Sequence, residues 1–298
     1  NDFNFDMIVA KIYGGLGNQM FQYAFSKSLA IQNKTDLYLD LSWYSLDKSS
    51  TQRKFQLDVF NTEFKIANSK IISDSKPLLL RLLNAILVRL KLGRLQTPNY
   101  FVEDKFCYNS SVDKIGNVCY VNGYWQSHKY FYEIKEVIRS DFKLKKIFLN
   151  QLKASYAENI INSNSVGIHI RRSDYTLNHN KSIHGILSID YYMDAIKIME
   201  RKLNPPIFFI FSDDISWARN KFKNLCNCNF ISSSHDYLDL FLMSQCKNNI
   251  IANSSFSWWG AWLNSNPDKI IIAPKQWFSR ETLNKHTNDL IPETWIRL

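Results

Sequence analysis

The stretch VGIHIRRSDY, residues 166–175, decides the fold of the second half of the chain. Its apolar residues alternate, which predicts a buried strand with aliphatic side chains on one face and His169 on the other. Arg171 follows on the His169 side, at the carboxyl end of the strand, where ligands of open α/β sheets bind. A buried guanidinium needs an anion, and its paired N–H groups match a phosphate. The structural alternative is an ion pair between Arg171 and Asp174 that only fixes the loop.

Apolar strands and helical patterns alternate from this stretch to the end of the chain. Strands are predicted at 166–170, 207–211, 229–232, 249–252 and 270–273, and helices at 190–202, 215–222, 236–245 and 256–263. This alternation predicts a doubly wound parallel sheet with right-handed crossovers. The first half opens in the same way, with strands at 7–13, 37–39 and 118–123 and a helix at 127–140. We therefore predict an α/β protein with two lobes, residues 1–150 and 151–298.

Two carboxylates end the predicted strand at 207–211. Asp213 and Asp214 together could hold a metal ion, but an Asp just before a helix is more often its N-cap. We expect the capping role, and we expect no metal to be required.

Asp239 interrupts an otherwise apolar helical stretch, YLDLFLMSQC. A carboxylate in apolar surroundings needs paired N–H donors, and the Watson–Crick edge of guanine offers two. A solvated Asp on the outer face of the helix is the alternative that the spacing leaves open.

The stretch NSSFSWWGAWL, residues 253–263, follows another predicted strand. Asn253, Ser254 and Ser255 offer hydroxyls, an amide and the free N–H groups of a helix N-terminus, which together form an anion cradle. Three tryptophans in the helix are expected mainly to pack the core, with an aromatic platform for a base or sugar as the lesser alternative.

A glycine-rich turn, GGLGNQ, lies between the first predicted strand and the first predicted helix. Backbone N–H groups at such a turn can meet a phosphate, although this one lacks the third glycine of a dinucleotide fingerprint and the lysine of a P-loop. A simple tight turn is the structural alternative. Asn18 and Gln19, directly after the glycines, favour a ligand role for the turn that holds Gly15 and Gly17.

The net charge of +10 favours an anionic partner. The basic residues are scattered rather than clustered beside aromatics, which argues against a nucleic-acid-binding protein. No apolar run is long enough to cross a membrane, no leader is recognisable, and five cysteines without a Cys-x-x-Cys pair fit reduced thiols, so we predict a cytoplasmic protein. The longest apolar run, residues 78–92, is interpreted as a buried helix with basic ends; peripheral contact with an anionic membrane is the alternative.

The motifs together resemble glycosyltransferase family 11, the bacterial α-1,2-fucosyltransferases. The resemblance spans nearly the whole chain and is carried by GGLGNQMFQYA, GYWQSHKYF, HIRRSDY, FSDD, NSSFSWWGAWL and IPETW. It implies a GT-B-like fold of two lobes, with GDP-fucose bound in a Rossmann-like C-terminal lobe. It also implies inverting transfer of fucose to the 2-hydroxyl of a galactose-containing glycan, free or lipid-linked, in bacterial surface polysaccharide (O-antigen) synthesis.

The resemblance also implies roles for individual residues. His169 and Asp239 would hold guanine, Arg171 and Ser255 the diphosphate, and Asn18 would close over the donor from the first lobe. The general base is not fixed by the motifs, which leaves Asp174 and His184 as candidates beside Arg171 in the catalytic set. The candidate substrate-binding set is Gly15, Gly17, Asn18, Gln19, His169, Arg172, Asp213, Asp239, Asn253, Ser254 and Ser255, with Arg172 expected on the opposite strand face as a packing residue.

Three other functions remain open at this point. A transferase for a different GDP-sugar would share every motif named above. A sugar-binding module without catalysis would bind galactosides without GDP, and a nucleic-acid-binding protein would show steep salt dependence on random DNA.

Overall fold

The computed structural model describes residues 6–46, 52–76, 78–90, 97–172, 174–176 and 183–298. The chain divides into two compact units, residues 1–143 and 144–298. The boundary predicted from the sequence follows residue 150.

The first unit holds a five-stranded sheet in the order β3-β2-β1-β5-β4. The strands are β1 (Met7–Lys11), β2 (Asp36–Asp40), β3 (Lys65–Ile66), β4 (Tyr100–Val102) and β5 (Val118–Asn122). Every described pairing between them is parallel. The helices are α1 (Leu16–Asn33), α2 (Ser42–Leu46), α3 (Ser69–Asp74), α4 (Leu78–Arg89) and α5 (Lys135–Asp141).

The loop after β5 differs from the prediction of one helix over 127–140. Only a 3₁₀ turn, His128–Phe131, forms first, and the α-helix begins at Lys135. The side chain of Ser127 accepts a hydrogen bond from the Lys129 N–H at 3.3 Å, which caps the short turn. The helix prediction was therefore wrong in its first half.

The second unit holds a six-stranded sheet in the order β11-β10-β9-β6-β7-β8, again with every described pairing parallel. The strands are β6 (Ser165–Ile170), β7 (Ile207–Ser212), β8 (Cys228–Ile231), β9 (Asn248–Ile250), β10 (Ile271–Ala273) and β11 (Ile296–Arg297). The helices are α6 (Lys146–Leu149), α7 (Ala154–Ile161), α8 (Ile189–Lys202), α9 (Ile215–Lys221), α10 (Asp236–Gln245), α11 (Ser255–Leu263) and α12 (Glu281–Asn284). This doubly wound architecture confirms the predicted α/β class.

The two faces of β6 pack against different cores, as the alternation predicted. Val166, Ile168 and Ile170 lie in one cluster with residues of α8. The opposite face of β6 lies on the same side of the sheet as Phe209 and Phe211 of β7, which pack against α7 and α10. His169 pairs with Phe211 in the sheet register and so lies on this second face, at its carboxyl end.

The helix predicted to be buried, α4, is exposed. Leu78, Leu79, Leu82 and Ile86 are 66%, 72%, 55% and 56% exposed, whereas the polar Asn84 is buried. The interpretation of residues 78–92 as a core helix is therefore wrong for its described part, because the apolar side of the helix is exposed to solvent. None of the described helices combines the length and apolarity that a membrane crossing requires.

Candidate active site

The strand order of the second sheet reverses beside β6. Chain progression runs from β6 through β7 to β8 on one side, and β9 on the other side leads to β10 and β11. At such a switch point the loops after neighbouring strands separate and leave a crevice at the carboxyl edge. The predicted binding residues of this unit follow the strands that end at this edge: His169, Arg171, Arg172, Asp213, Asp239, Asn253, Ser254 and Ser255.

His169 is the most informative side chain at this edge. It is only 4% exposed, and its buried Nδ1 has no hydrogen-bond partner. Its ring lies 5.3 Å from that of Phe256, between centroids. Burial, with a smaller contribution from the Arg171 charge, lowers its pKa to about 3, so the imidazole is neutral at physiological pH. A buried nitrogen left without a partner is costly, and a ligand that supplies one removes that cost.

Arg171 is held at the strand end by a carboxylate from the neighbouring strand. Its Nε lies 3.3 Å from Asp213 Oδ2, and its guanidinium carbon lies 5.7 Å from the centre of the Tyr175 ring. The Arg171 side chain keeps 20% of its surface exposed, so the guanidinium is fixed in direction while the side chain is not fully enclosed. The alternative of an ion pair with Asp174 concerns a side chain that lies outside the described part of the structure.

The two carboxylates after β7 have separate tasks. Asp214 caps α9 by accepting a hydrogen bond from the Trp217 N–H at 3.1 Å. Asp213 accepts one from the Arg172 N–H at 2.8 Å and pairs with Arg171. Of the two predicted capping residues, it is therefore Asp214 that caps. Among the described residues, no group of three or more His, Cys, Asp or Glu side chains is arranged to hold a metal ion.

Arg172 packs against the helix that follows β7. Its guanidinium carbon lies 4.0 Å from the centre of the Trp217 ring, and its Nε lies 3.5 Å from Asp214 Oδ2. These contacts tie the end of β6 to α9. They fit the packing role expected for Arg172, although its buried Nε makes no hydrogen bond.

Asp239 lies in the first turn of α10, on the side of the sheet that carries His169. One turn later, Leu242 and Met243 of the same helix pack against Phe211, the register partner of His169. Ser233 donates a hydrogen bond to Asp239 Oδ1 at 2.6 Å. Desolvation raises the Asp239 pKa to about 6, an effect that Ser233 opposes in part. The carboxylate is thus under-solvated in the free protein and gains from further N–H donors.

The loop after β9 is fixed by Asn253. Its Nδ2 donates to the carbonyls of His184 at 2.8 Å and of Trp277 at 3.1 Å, which uses the amide to anchor the loop. Ser254 occupies the N-cap position of α11, yet its side chain makes no capping hydrogen bond. The helix begins at Ser255, so the N-terminal N–H groups of α11 point to the same edge as Arg171.

The tryptophans of α11 pack the core, as expected. Trp258 and Trp259 are fully buried and Trp262 is 9% exposed. Trp258 Nε1 donates to the Leu290 carbonyl at 2.7 Å, which connects α11 to the C-terminal segment.

Of the two base candidates, only His184 has a described side chain. Its ring stacks on that of Tyr175 at 4.8 Å between centroids and 11° between planes. Tyr175 in turn donates to the Asn253 carbonyl at 3.1 Å. His184 therefore lies in the loop layer above the sheet, next to residues that neighbour Arg171 in sequence.

In the glycine-rich turn of the first unit, the backbone conformation requires a glycine at one position. Gly14 has φ +79°, and a Cβ there would lie 2.9 Å from Asn18 Nδ2. Gly15 precedes α1 at the N-cap position, where a Cβ would meet only Arg53 atoms at 3.8 Å or more. Gly17 is buried within α1. Only Gly14 is thus required by its own conformation.

Gln19 shapes the turn from inside. It is fully buried; its Nε2 donates to the carbonyls of Gly14 at 3.1 Å and Lys54 at 2.8 Å, and its Oε1 accepts from Gln56 N–H at 2.9 Å. Both ends of the amide thus bond to the protein backbone, and a ligand role for Gln19 stays a prediction.

Two residues of this unit were not singled out from the sequence. Gln126 Nε2 donates to Asn18 Oδ1 at 2.9 Å, which links the loop after β5 to the first turn of α1. Glu103 accepts hydrogen bonds from the Tyr124 and Trp125 N–H groups at 2.6 and 2.9 Å. Gln126 belongs to the motif GYWQSHKYF, which was the available signal, whereas nothing in the sequence marked Glu103.

Two units with parallel sheets and polar loops at the strand ends define the GT-B-like class of glycosyltransferase folds. Solved structures with this fold match most of the chain. NodZ, an alpha-1,6-fucosyltransferase from Bradyrhizobium co-crystallised with GDP, matches with a TM-score of 0.51 at 12% identity, over 86% of this chain and 92% of that one. A variant of Arabidopsis thaliana FUT1 in complex with GDP gives a TM-score of 0.52 at 13% identity, over 91% and 71%.

The chain belongs to glycosyltransferase family 11: the family model described as Glycosyl transferase family 11 matches residues 7–298. An alpha-1,2-colitosyltransferase of Escherichia coli is 37% identical over 98% of this chain and 99% of its own length. The O-antigen biosynthesis glycosyltransferase WbnK of Escherichia coli is 36% identical over 96% and 98%. The galactoside 2-alpha-L-fucosyltransferase Sec1 of Mus musculus is 22% identical over 90% and 67%. The family predicted from the motifs is confirmed, and the chain is a glycosyltransferase.

Proposed function

We propose that this glycosyltransferase moves L-fucose from GDP-fucose to the 2-hydroxyl of a terminal galactose, with inversion at the sugar carbon. The observation that carries the proposal is that two under-satisfied groups lie on the same side of the second sheet. His169 Nδ1 is buried without a partner, and Asp239 has its pKa raised by desolvation. Guanine offers N–H donors on its Watson–Crick edge for a carboxylate and further polar groups for an imidazole, so one base can satisfy both.

The diphosphate is assigned to the positive groups at the same edge. Arg171 is fixed by Asp213 but keeps part of its surface exposed, and the N-terminus of α11 begins at Ser255. When the bond between the sugar carbon and the β-phosphate oxygen breaks, the electron pair goes to that oxygen. A preorganised guanidinium and a helix N-terminus stabilise the developing charge. The chain's own groups thus supply the charge stabilisation in this proposal, without an added metal ion.

The acceptor oxygen attacks the sugar carbon from the face opposite GDP, which gives inversion. Its proton leaves as the new glycosidic bond forms, and a weak base is sufficient when proton loss is late. Asp174 and His184 remain the candidates for this base. Single replacement of each, with the pH profile of turnover recorded, separates them from deprotonation by solvent or by the departing phosphate.

Colitose is the second candidate for the transferred sugar, because the 37% identical relative carries that name. Colitose is fucose without the 3-hydroxyl group, so the two donors differ by one polar group. A site that hydrogen-bonds the 3-hydroxyl rejects the deoxy sugar by roughly 10⁴-fold or more, whereas an apolar site rejects the hydroxylated sugar by only about 10²-fold. The ratio of kcat/KM for the two donors therefore shows whether the pocket hydrogen-bonds the 3-hydroxyl group of fucose.

The deciding experiment compares GDP-fucose, GDP-colitose and GDP-mannose as donors with a panel of β-galactosides, including lipid-linked O-antigen intermediates. We expect a product whose new linkage is to the galactose 2-hydroxyl, with GDP-fucose preferred in kcat/KM. A strong preference for GDP-colitose would replace the sugar but keep the reaction. Absence of any product, together with galactoside binding that needs no GDP, would overturn the proposal in favour of a binding module.

A further inference from the structure

The exposed side of α4 is a continuous apolar stripe. Leu78, Leu82, Ile86 and Leu90 recur every four residues and are 66%, 55%, 56% and 61% exposed, and Leu79 and Leu83 lie beside them. At 3.6 residues per turn these six side chains cover roughly 140° of the helix circumference. We call these six residues the α4 stripe. The opposite side of the helix carries the buried Asn84.

A patch of this size marks an interaction surface, since monomeric proteins rarely expose so many neighbouring aliphatic side chains. Three occupants are conceivable on general grounds: a bilayer surface, a second copy of the chain, or a partner protein. Helix α4 has 12 residues, well short of the roughly 20 needed to cross a bilayer, so a membrane would take it lying in the interface.

Charge decides between these occupants. From residue 78 to residue 94 the sequence has four basic residues, Arg81, Arg89, Lys91 and Arg94, and no acidic residue. The whole chain carries a net charge of +10. Two copies meeting through the stripe would bring these basic segments together and repel, whereas anionic lipid headgroups attract them.

We propose that the α4 stripe docks the enzyme on an anionic membrane surface, with its leucines and isoleucine in the interface and Arg89, the last residue of α4, among the headgroups. The proposal is independent of which sugar the enzyme transfers. It places a glycosyltransferase of this family at the surface where a lipid-linked acceptor would be presented, with α4 parallel to that surface.

The test is co-sedimentation of the full chain with vesicles of phosphatidylcholine alone and with vesicles that also contain phosphatidylglycerol. We expect binding only to the anionic vesicles. Raising the salt from about 0.1 M to about 1 M shortens the Debye length from about 10 Å to about 3 Å and should weaken that binding markedly.

Two single variants separate apolar insertion from charge. Leu82→Glu adds one negative charge inside the stripe, and Val88→Glu adds the same charge on an exposed residue outside it; the two native side chains are 55% and 47% exposed. Because burial of the leucine is lost as well, Leu82→Glu should weaken vesicle binding by about 10- to 100-fold. Val88→Glu should cost about fivefold or less.

Transfer to a soluble galactoside serves as the fold control and should be unchanged in both variants. Equal effects of the two variants on vesicle binding, or no binding to anionic vesicles at all, would overturn the proposal. Self-association in sedimentation velocity that Leu82→Glu abolishes, without any lipid binding, would instead assign the stripe to a second copy. If the wild type does not transfer sugar to the soluble galactoside, that result counts against the proposed activity and does not affect the conclusion from vesicle binding.

Discussion

Replacement of Asp239 by Asn should stabilise the free protein and weaken donor binding at the same time. Burial holds the Asp239 pKa at about 6 against an ordinary value of 3.8. The pKa of Asp239 is higher in the folded state than in the unfolded state. Its favourable contribution to the free energy of unfolding is therefore fully present below the ordinary pKa and is lost as the pH rises through about 6. One pKa unit corresponds to about 1.4 kcal/mol, so raising the Asp239 pKa from 3.8 to about 6 makes the ionised carboxylate cost on the order of 3 kcal/mol at neutral pH.

The amide removes this cost without changing the shape of the side chain. Ser233 donates to Asp239 Oδ1, and an Asn oxygen can accept the same hydrogen bond. We expect Asp239→Asn to raise the free energy of unfolding at pH near 7.5 by about 1 to 2 kcal/mol, and to lose this advantage near pH 4. Denaturant titration at the two pH values measures both quantities.

Donor binding should change in the opposite direction. The amide replaces one acceptor by a donor facing guanine N–H groups, so affinity should fall by about 1 to 3 kcal/mol. In the wild type, affinity should also fall about tenfold per pH unit below about 6, where free Asp239 is protonated, whereas the variant should show no such slope. His169, with its pKa near 3, stays neutral throughout this range.

Calorimetry with GDP-fucose is the suitable assay, because GDP itself has a terminal phosphate that titrates at about pH 6. The reasoning would be refuted by a wild-type affinity that is flat from pH 7 to pH 5, or by a variant that is less stable than the wild type at neutral pH. The first result would remove Asp239 from the base pocket; the second would show that its carboxylate is fully satisfied by the protein.

The remaining predictions concern the two arginines after β6, the glycine-rich turn and the absence of a metal requirement. Arg171→Ala should lower turnover by about 10² to 10³ with a smaller loss of GDP affinity. Arg171→Lys should also be severely impaired, because lysine cannot form the two parallel hydrogen bonds of a guanidinium. An Arg171→Ala enzyme that keeps more than about a tenth of wild-type turnover contradicts the leaving-group role. Arg172→Ala should lower the melting temperature by removing the contact with Trp217, with little change in turnover per folded molecule; an unchanged melting temperature would contradict the packing role. Gly14→Ala should destabilise the first unit by about 1 kcal/mol or more, because φ is +79° there and Asn18 is in the way, and the matched control Gly15→Ala should be milder since its Cβ has room. Excess EDTA should leave transfer intact, and a loss restored by magnesium or manganese would return Asp213 and Asp214 to a metal site.

The second unit was predictable because its central strands are buried on both faces and its helices follow at regular spacing. The predicted helix at 236–245 coincides with α10, and the strand predicted at 166–170 differs from β6 by one residue. Apolar runs bounded by polar loops carry this information directly, since each strand end is also the place where binding side chains occur.

The first unit was less predictable from residue 41 to residue 102. The strand β3 has two residues and β4 has three, which is too short for an alternation to be recognised. The apolar composition of α4 was correctly seen, but composition does not say whether an apolar face meets a core or solvent. That information depends on tertiary contacts, and the same limit separates Asp214, which caps α9, from Asp213, which does not.

The loop after β5 in the first unit depends on a backbone conformation that the sequence pattern does not predict. Trp125 has φ +56°, in the left-handed region, which costs a non-glycine residue about 1 to 2 kcal/mol. Glu103 offsets this cost by accepting two hydrogen bonds from the Tyr124 and Trp125 N–H groups, each worth about 1.5 to 3 kcal/mol when the acceptor is charged. The indole also stacks on Phe25 of α1 at 4.0 Å. The turn so fixed directs the next residue, Gln126, to Asn18, and therefore the GYWQ and GGLGNQ motifs act as one structural unit although about 100 residues separate them.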